Sequence, residues 1–87
     1  MQNILSSLSL EELTLFKDAV DNNFKVITEH NVIVADYKEV WFDLFKVLVK
    51  YVYENYEVLN STHGFNGLTY GECAKYLITV EISKKTV

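Results

Sequence analysis

The sequence predicts a small, mainly α-helical fold in a single domain that spans residues 1–87. The chain has no proline and only three glycines, so few residues are present that would interrupt a helix. Apolar residues make up 49% of it, which excludes a disordered chain. Three places carry a helix-capping signature, in which an acid follows a Ser, Thr or Asp by three residues: Ser9 with Glu12, Asp36 with Glu39, and Thr69 with Glu72.

The first predicted helix runs from about residue 10 to 29. After the cap, apolar residues recur at spacings of three and four: Leu10, Leu13, Phe16, Val20, Phe24 and Ile27. The weak point is the polar run at 21–23. If the helix ends there, residues 24–35 form a β-hairpin, because FKVIT and NVIVA are rich in β-branched residues. We favour the long helix and keep the hairpin as the alternative.

The second predicted helix, residues 37–58, carries more apolar surface than one core contact requires. One side has the spacing of a core-facing helix: Trp41, Leu44, Phe45, Leu48, Tyr51 and Val52. A second apolar line extends the non-polar surface well beyond the usual stripe of about 100°. The C-terminal segment, a second copy or another protein has to cover that line. We predict that it is an interface with lysines at its rim, formed by Phe42, Val49, Tyr53 and Tyr56 with Lys46 and Lys50.

The C-terminal third is predicted to hold a loop and a shorter helix. Residues 60–68, NSTHGFNGL, contain two of the three glycines and are typical of a loop. Phe65 in this loop is expected to fold back onto the core. The third helix should run from 69 to 78, after the cap at Thr69.

Beyond that helix the hydrophobic period changes. Ile78, Val80 and Ile82 alternate with polar residues, which predicts an extended C-terminal tail or a strand. The alternative α+β fold therefore combines the hairpin at 24–35 with a strand at 77–83.

Charge and cysteine content limit the partners and the compartment. Eight basic and twelve acidic side chains give a net charge of −4, so attraction to nucleic acid or to an anionic membrane is not expected. Charged residues interrupt every long apolar run, so no membrane span is predicted. The single cysteine, Cys73, cannot form an internal disulfide, and the N-terminus does not resemble a signal peptide. A cytoplasmic protein is expected.

No sequence motif for catalysis, metal binding or phosphate binding is present. Residues that could bind zinc occur at His30, His63, Glu72 and Cys73, but their spacing matches no ligand pattern. The lone cysteine on an apolar helix side is typical of a core residue. We therefore predict a protein without a metal or cofactor that is not an enzyme.

One local stretch resembles a known motif. LTYGECAKYL, residues 68–77, is similar to the first helix of a repressor-type helix-turn-helix, with a Leu-Thr start followed by an acid, an Ala-Lys pair and a Leu. The resemblance implies DNA recognition through residues 68–87. It departs from the motif at Ile78, where the turn normally has glycine, and only Lys84 and Lys85 follow as basic residues.

The predicted function is therefore a protein-interaction module that acts by occupying a surface, on another protein or on a second copy of itself in a homo-oligomer. Small acidic proteins without motifs are often phage or mobile-element products that inhibit a host protein, and we include that form of the function. One alternative is an oligomeric protein that stacks a nucleotide-like ligand on its tyrosines. The other alternative is the helix-turn-helix DNA-binding protein.

Overall fold

The computed structural model describes residues 4–25, 27–35 and 40–86. These ranges form a mainly α fold, as predicted, together with the small hairpin of the alternative. The predicted cap at Asp36 and Glu39 and the start of the second predicted helix lie outside the described residues. In chain order the elements are a 3₁₀ turn at Ile4–Ser7, α1 at Leu10–Asp21, β1 at Ile27–Glu29, β2 at Val32–Ala35, α2 at Val40–Glu54, α3 at Tyr56–His63 and α4 at Tyr70–Thr86.

The predicted long helix at 10–29 is wrong, because α1 ends at Asp21. Asn23 takes the left-handed conformation, with φ of 54°, which Asn tolerates better than most residues. The N–H of Phe24 donates to the carbonyl of Ala19 at 2.8 Å, and that of Asn23 donates to Val20 at 3.1 Å. This pair of bonds is the Schellman helix stop. The spacing of Phe24 fits a helix, but Phe24 lies beyond the end of α1. Its ring still packs on Phe42 and Phe45 of α2, which explains the misleading pattern.

The alternative hairpin, predicted at 24–35, is confirmed with its strands at Ile27–Glu29 and Val32–Ala35. Thr28 pairs with Ile33 and Glu29 with Val32, which leaves a two-residue turn at 30–31. Both turn residues have positive φ, 53° and 66°, as a tight turn matched to the strand twist requires. The register shifts by one residue between Ile27 and Thr28, which marks a β-bulge.

The second predicted helix, 37–58, is divided at Asn55 into α2 and α3. At Asn55 the backbone leaves helical geometry, with φ of −118° and ψ of 22°. Its side chain and its backbone N–H both donate to the carbonyl of Tyr51, at 2.9 Å and 3.1 Å. The predicted loop at 60–68 is also too long, since α3 continues to His63. Gly64 then ends α3 with φ of 71°, which glycine adopts without strain.

The predicted extended tail and the alternative strand at 77–83 are both wrong, because α4 continues to Thr86. Ile78 and Ile82 are four residues apart, so they lie on one face of a helix as readily as on one face of a strand. Ile78 is fully buried, and Ile82 packs against the same core. The alternation of apolar residues at 78, 80 and 82 was therefore misread as a strand, because Ile78 and Ile82 also have helical spacing.

One cluster of buried side chains joins the helices. α4 runs beside α1 in the opposite direction, since Asp21 at the end of α1 contacts Lys75 near the start of α4, and Lys85 near the end of α4 contacts Ser6. The caps at Ser9 and Thr69 form as predicted, each with its acid three residues later. The core consists of Leu5, Leu13, Phe16, Leu48, Val52, Leu59, Phe65, Cys73, Ala74, Leu77 and Ile78.

Candidate interaction surface on α2

Four residues of the predicted interface lie on one face of α2, and we name them the α2 stripe: Phe42, Lys46, Val49 and Tyr53. Their spacings of four, three and four residues place them within one narrow arc of the helix. The stripe extends about 16 Å along the axis. Phe42 is 43% exposed and Tyr53 is 65% exposed, while the core-facing Leu48 and Val52 of the same helix are fully buried.

At its N-terminal end the stripe is partly covered from within the chain. The ring of Phe24 meets that of Phe42 edge-on, with centroids 5.3 Å apart. The Nζ atom of Lys46 lies 5.4 Å from the centroid of the Phe42 ring, which is within the range of a cation–π contact. Phe42 therefore has one face toward the protein and a cation over its ring.

The middle of the stripe belongs partly to the core. Val49 is half-buried and packs against the buried cluster. α4 begins close to this point, since a Cβ atom added to Gly71 would lie 3.9 Å from the ring of Phe45. The start of α4 therefore lies beside the core-facing side of α2 here, and Val49 is the stripe residue whose substitution would disturb the packing of the buried core.

At its C-terminal end the stripe meets a residue that the sequence reasoning missed. The ring of Tyr70, the first residue of α4, is perpendicular to that of Tyr53, with centroids 5.5 Å apart. Tyr70 also contacts Tyr56, and both Tyr53 and Tyr70 remain exposed. Only the packing of α4 beside α2 brings Tyr70 here, so no spacing in the sequence could have indicated it.

Tyr56 is placed differently from the rest of the predicted interface. It begins α3 after the break at Asn55, is half-buried, and its hydroxyl lies 3.5 Å from the carbonyl of Phe65. Tyr56 therefore packs between the Phe65 loop and the ring of Tyr70. It is a packing residue more than a contact residue.

Charge is unevenly distributed around the stripe. The side chain of Lys50 is 78% exposed, and its Nζ atom is 3.9 Å from Glu54. Beyond Tyr53, an open hollow of about 340 Å³ includes Glu54 and Glu57 in its lining. Lys46 therefore lies within the stripe and Lys50 beside its second half, while Glu54 and Glu57 lie beyond its end.

The side chains that could support catalysis or metal binding are placed as structural residues. Cys73 is fully buried, and burial followed by the charge of Glu72 raises the pKa of its thiol. His63 stacks on the ring of Phe65 with centroids 5.4 Å apart. Within residues 4–25, 27–35 and 40–86, no three His, Cys, Asp or Glu side chains are grouped so that they could hold a metal ion.

The basic residues at the end of α4 have local partners. Lys85 donates to the backbone carbonyl of Ser6 at 3.3 Å, and Lys84 approaches Glu81 at 4.0 Å. Because α4 is continuous from 70 to 86, the turn that a helix-turn-helix needs after Leu77 is missing. The similarity at 68–77 is therefore limited to a capped helix.

Comparison with known proteins gives no relative from which a role could be transferred. No protein-family model matches the chain, and no curated protein or solved structure is significantly similar to it. Among the helices in the described part of the chain, none has the length and apolar character needed to cross a membrane. The function has to be inferred from the surface itself.

Proposed function

We propose that this chain is a non-enzymatic protein-interaction module that acts by occupancy, with the α2 stripe and Tyr70 as its contact surface. The observation that carries the proposal is the exposure of Tyr53, which is 65% on a helix whose core-facing residues Leu48 and Val52 are fully buried. Tyrosine combines a large apolar ring with a hydrogen-bonding tip and is enriched at protein interfaces. Lysines beside such anchors form the polar rim that contact surfaces have.

The occupancy mechanism needs no reacting group. The thiol of Cys73 is fully buried, and a raised thiol pKa disfavours the reactive thiolate. A single unpaired cysteine also fits action in a reducing compartment such as the cytoplasm. Inhibition of a host protein remains one form that occupancy of a surface would take.

A nucleotide-like ligand is less well supported than a protein partner. Tyr53 and Tyr56 do line a hollow, but Glu54 and Glu57 line it with them. Carboxylates repel the phosphates of such a ligand.

The test is photocrosslinking from the stripe in the cell of origin. A photoreactive phenylalanine analogue replaces Tyr53, and a matched protein carries it at Leu15, which is similarly apolar and 43% exposed on α1. We expect a discrete protein adduct from position 53 and none from position 15. Equal adducts from both positions, or none from position 53, would contradict the proposal.

A further inference from the structure

We infer that the partner of the α2 stripe is an amphipathic segment of another protein that carries a carboxylate between apolar anchors. The inference rests on the proposed function, because it assigns the chemistry of the partner for that same surface. It is drawn from the position of one charge, that of Lys46, inside an otherwise apolar stripe.

Lys46 lies between the two exposed anchors. It follows Phe42 by one turn and precedes Tyr53 by two turns on the same face of α2, with its ammonium over the Phe42 ring. A partner that contacts Phe42 and Tyr53 together therefore also covers Lys46. Burial of an ammonium without an opposite charge is strongly unfavourable. A bound partner consequently needs a carboxylate at this point.

Lys50, one turn after Lys46, favours a second carboxylate on the partner. Its side chain is largely exposed, and its contact with Glu54 is 3.9 Å, which is long for a hydrogen-bonded ion pair. Two lysines four residues apart on one side of a helix match acids one turn apart on a partner segment.

A second copy of this chain does not supply that carboxylate. If two stripes pair in antiparallel fashion so that Phe42 faces Tyr53, the two Lys46 residues lie about 4.5 Å apart along the axis. Asp43 and Glu54 of the second copy would then lie about 9 Å and about 7.5 Å from Lys46 along the axis. The charges closest to each Lys46 would be the Lys50 and Lys46 ammoniums of the other copy. A parallel pair would place Lys46 directly against Lys46. Self-association through this stripe therefore brings like charges together at its centre.

The net charge of −4 limits the partner to a short acidic segment. Charges farther away than about 8 Å are largely screened at physiological salt, so distant acids of this chain do not prevent a local ion pair. An extended polyanion would still be repelled.

The test selects displayed peptides of random sequence against the whole protein. Enriched peptides should carry Asp or Glu between Leu, Phe or Trp at helical spacing. The consensus peptide is then synthesised, and its binding is measured by fluorescence anisotropy.

Lys46→Glu should weaken that binding by about tenfold or more, and a peptide with the acids replaced by lysine should restore it. Lys84→Glu makes the same change in net charge at the end of α4 and should change binding by less than about twofold.

Three outcomes would overturn the inference. The first is a consensus without an acid, and the second is unchanged binding to Lys46→Glu. In either of these two outcomes, the proposed function would still hold if Tyr53→Gln abolished binding of the peptide. The third is a dimer of the unmodified protein, seen by light scattering, that Tyr53→Gln dissociates, because a second copy would then occupy the stripe. If no enriched peptide depends on Tyr53, both the inference and the proposed function fail.

Discussion

Phe65 and Tyr53 are aromatic residues whose local contexts suggest the opposite of their roles. Phe65 lies on a glycine-flanked loop, yet it is 1% exposed and packs in a three-ring cluster with His63 and Tyr76. Tyr53 lies on a regular amphipathic helix, yet it is 65% exposed. The difference is whether another element covers the side chain. An aromatic residue on a loop can be core, and one on a helix can be surface.

The largest effect that would test this comparison is on stability at Phe65. Phe65→Ala removes a fully covered ring and should lower the free energy of unfolding by about 3–5 kcal/mol. Urea unfolding followed by far-UV circular dichroism measures it. A loss below about 1 kcal/mol would mean that the loop ring is not part of the core.

The next effect concerns the residue that holds Phe65 in place. The side-chain oxygen of Asn60 accepts the backbone N–H of Phe65 at 2.7 Å. Asn60→Ala leaves that partly buried donor without its partner, which should cost about 1–3 kcal/mol. Ser61→Ala, an exposed neighbour on the same helix, is the control and should change stability by less than about 0.5 kcal/mol. Equal losses in the two variants would contradict the role of Asn60.

A smaller effect concerns the ion pairs that link α4, the helix that carries Tyr70 and Tyr76, to α1. Asp21 contacts Lys75 at 2.6 Å and Lys17 at 2.9 Å, and hydrogen bonds from Lys75 and then Lys17 lower the pKa of its carboxyl. Because these groups are partly exposed, the Asp21–Lys75 coupling energy in a double-mutant cycle should be about 0.2–1 kcal/mol.

The pH dependence of this contribution follows from the lowered pKa. The stabilisation by Asp21 is fully present above its ordinary pKa and is lost as the pH falls through the lower pKa of the folded state. The stability difference between the unmodified protein and Asp21→Asn should therefore be present at pH 6 and shrink below about pH 4. Urea titrations of both proteins at several pH values measure it. A difference that grows on acidification would contradict the assignment.

The starts and ends of the helices show how much of the fold could be predicted from the sequence. The two described caps were predictable, because a capping box depends on residues three apart. The stop at Asn23 was only the alternative prediction, because the bonds that end α1 are made by the backbone and leave no specific sequence pattern. The break at Asn55 was missed, because the apolar spacing continues across it. The continuation of α4 through Ile82 was missed because short apolar runs fit a strand and a helix alike.

The same limits apply to the surface. Phe42, Lys46 and Tyr53 could be placed on one face from their spacing alone. The partial burial of Val49 and the pairing of Tyr53 with Tyr70 could not, since both depend on how the helices pack together.

Tyr53 should also have only a small effect on stability, and its substitution gives the most direct test of the central claim that the α2 stripe is a surface for a partner. The measurement is the free energy of unfolding of Tyr53→Gln in urea, taken together with its binding to the selected peptide. We predict a loss of at most about 1 kcal/mol, because only an exposed ring contact with Tyr70 is removed, together with loss of binding. A loss of several kcal/mol, or full stability with unchanged binding, would contradict the claim.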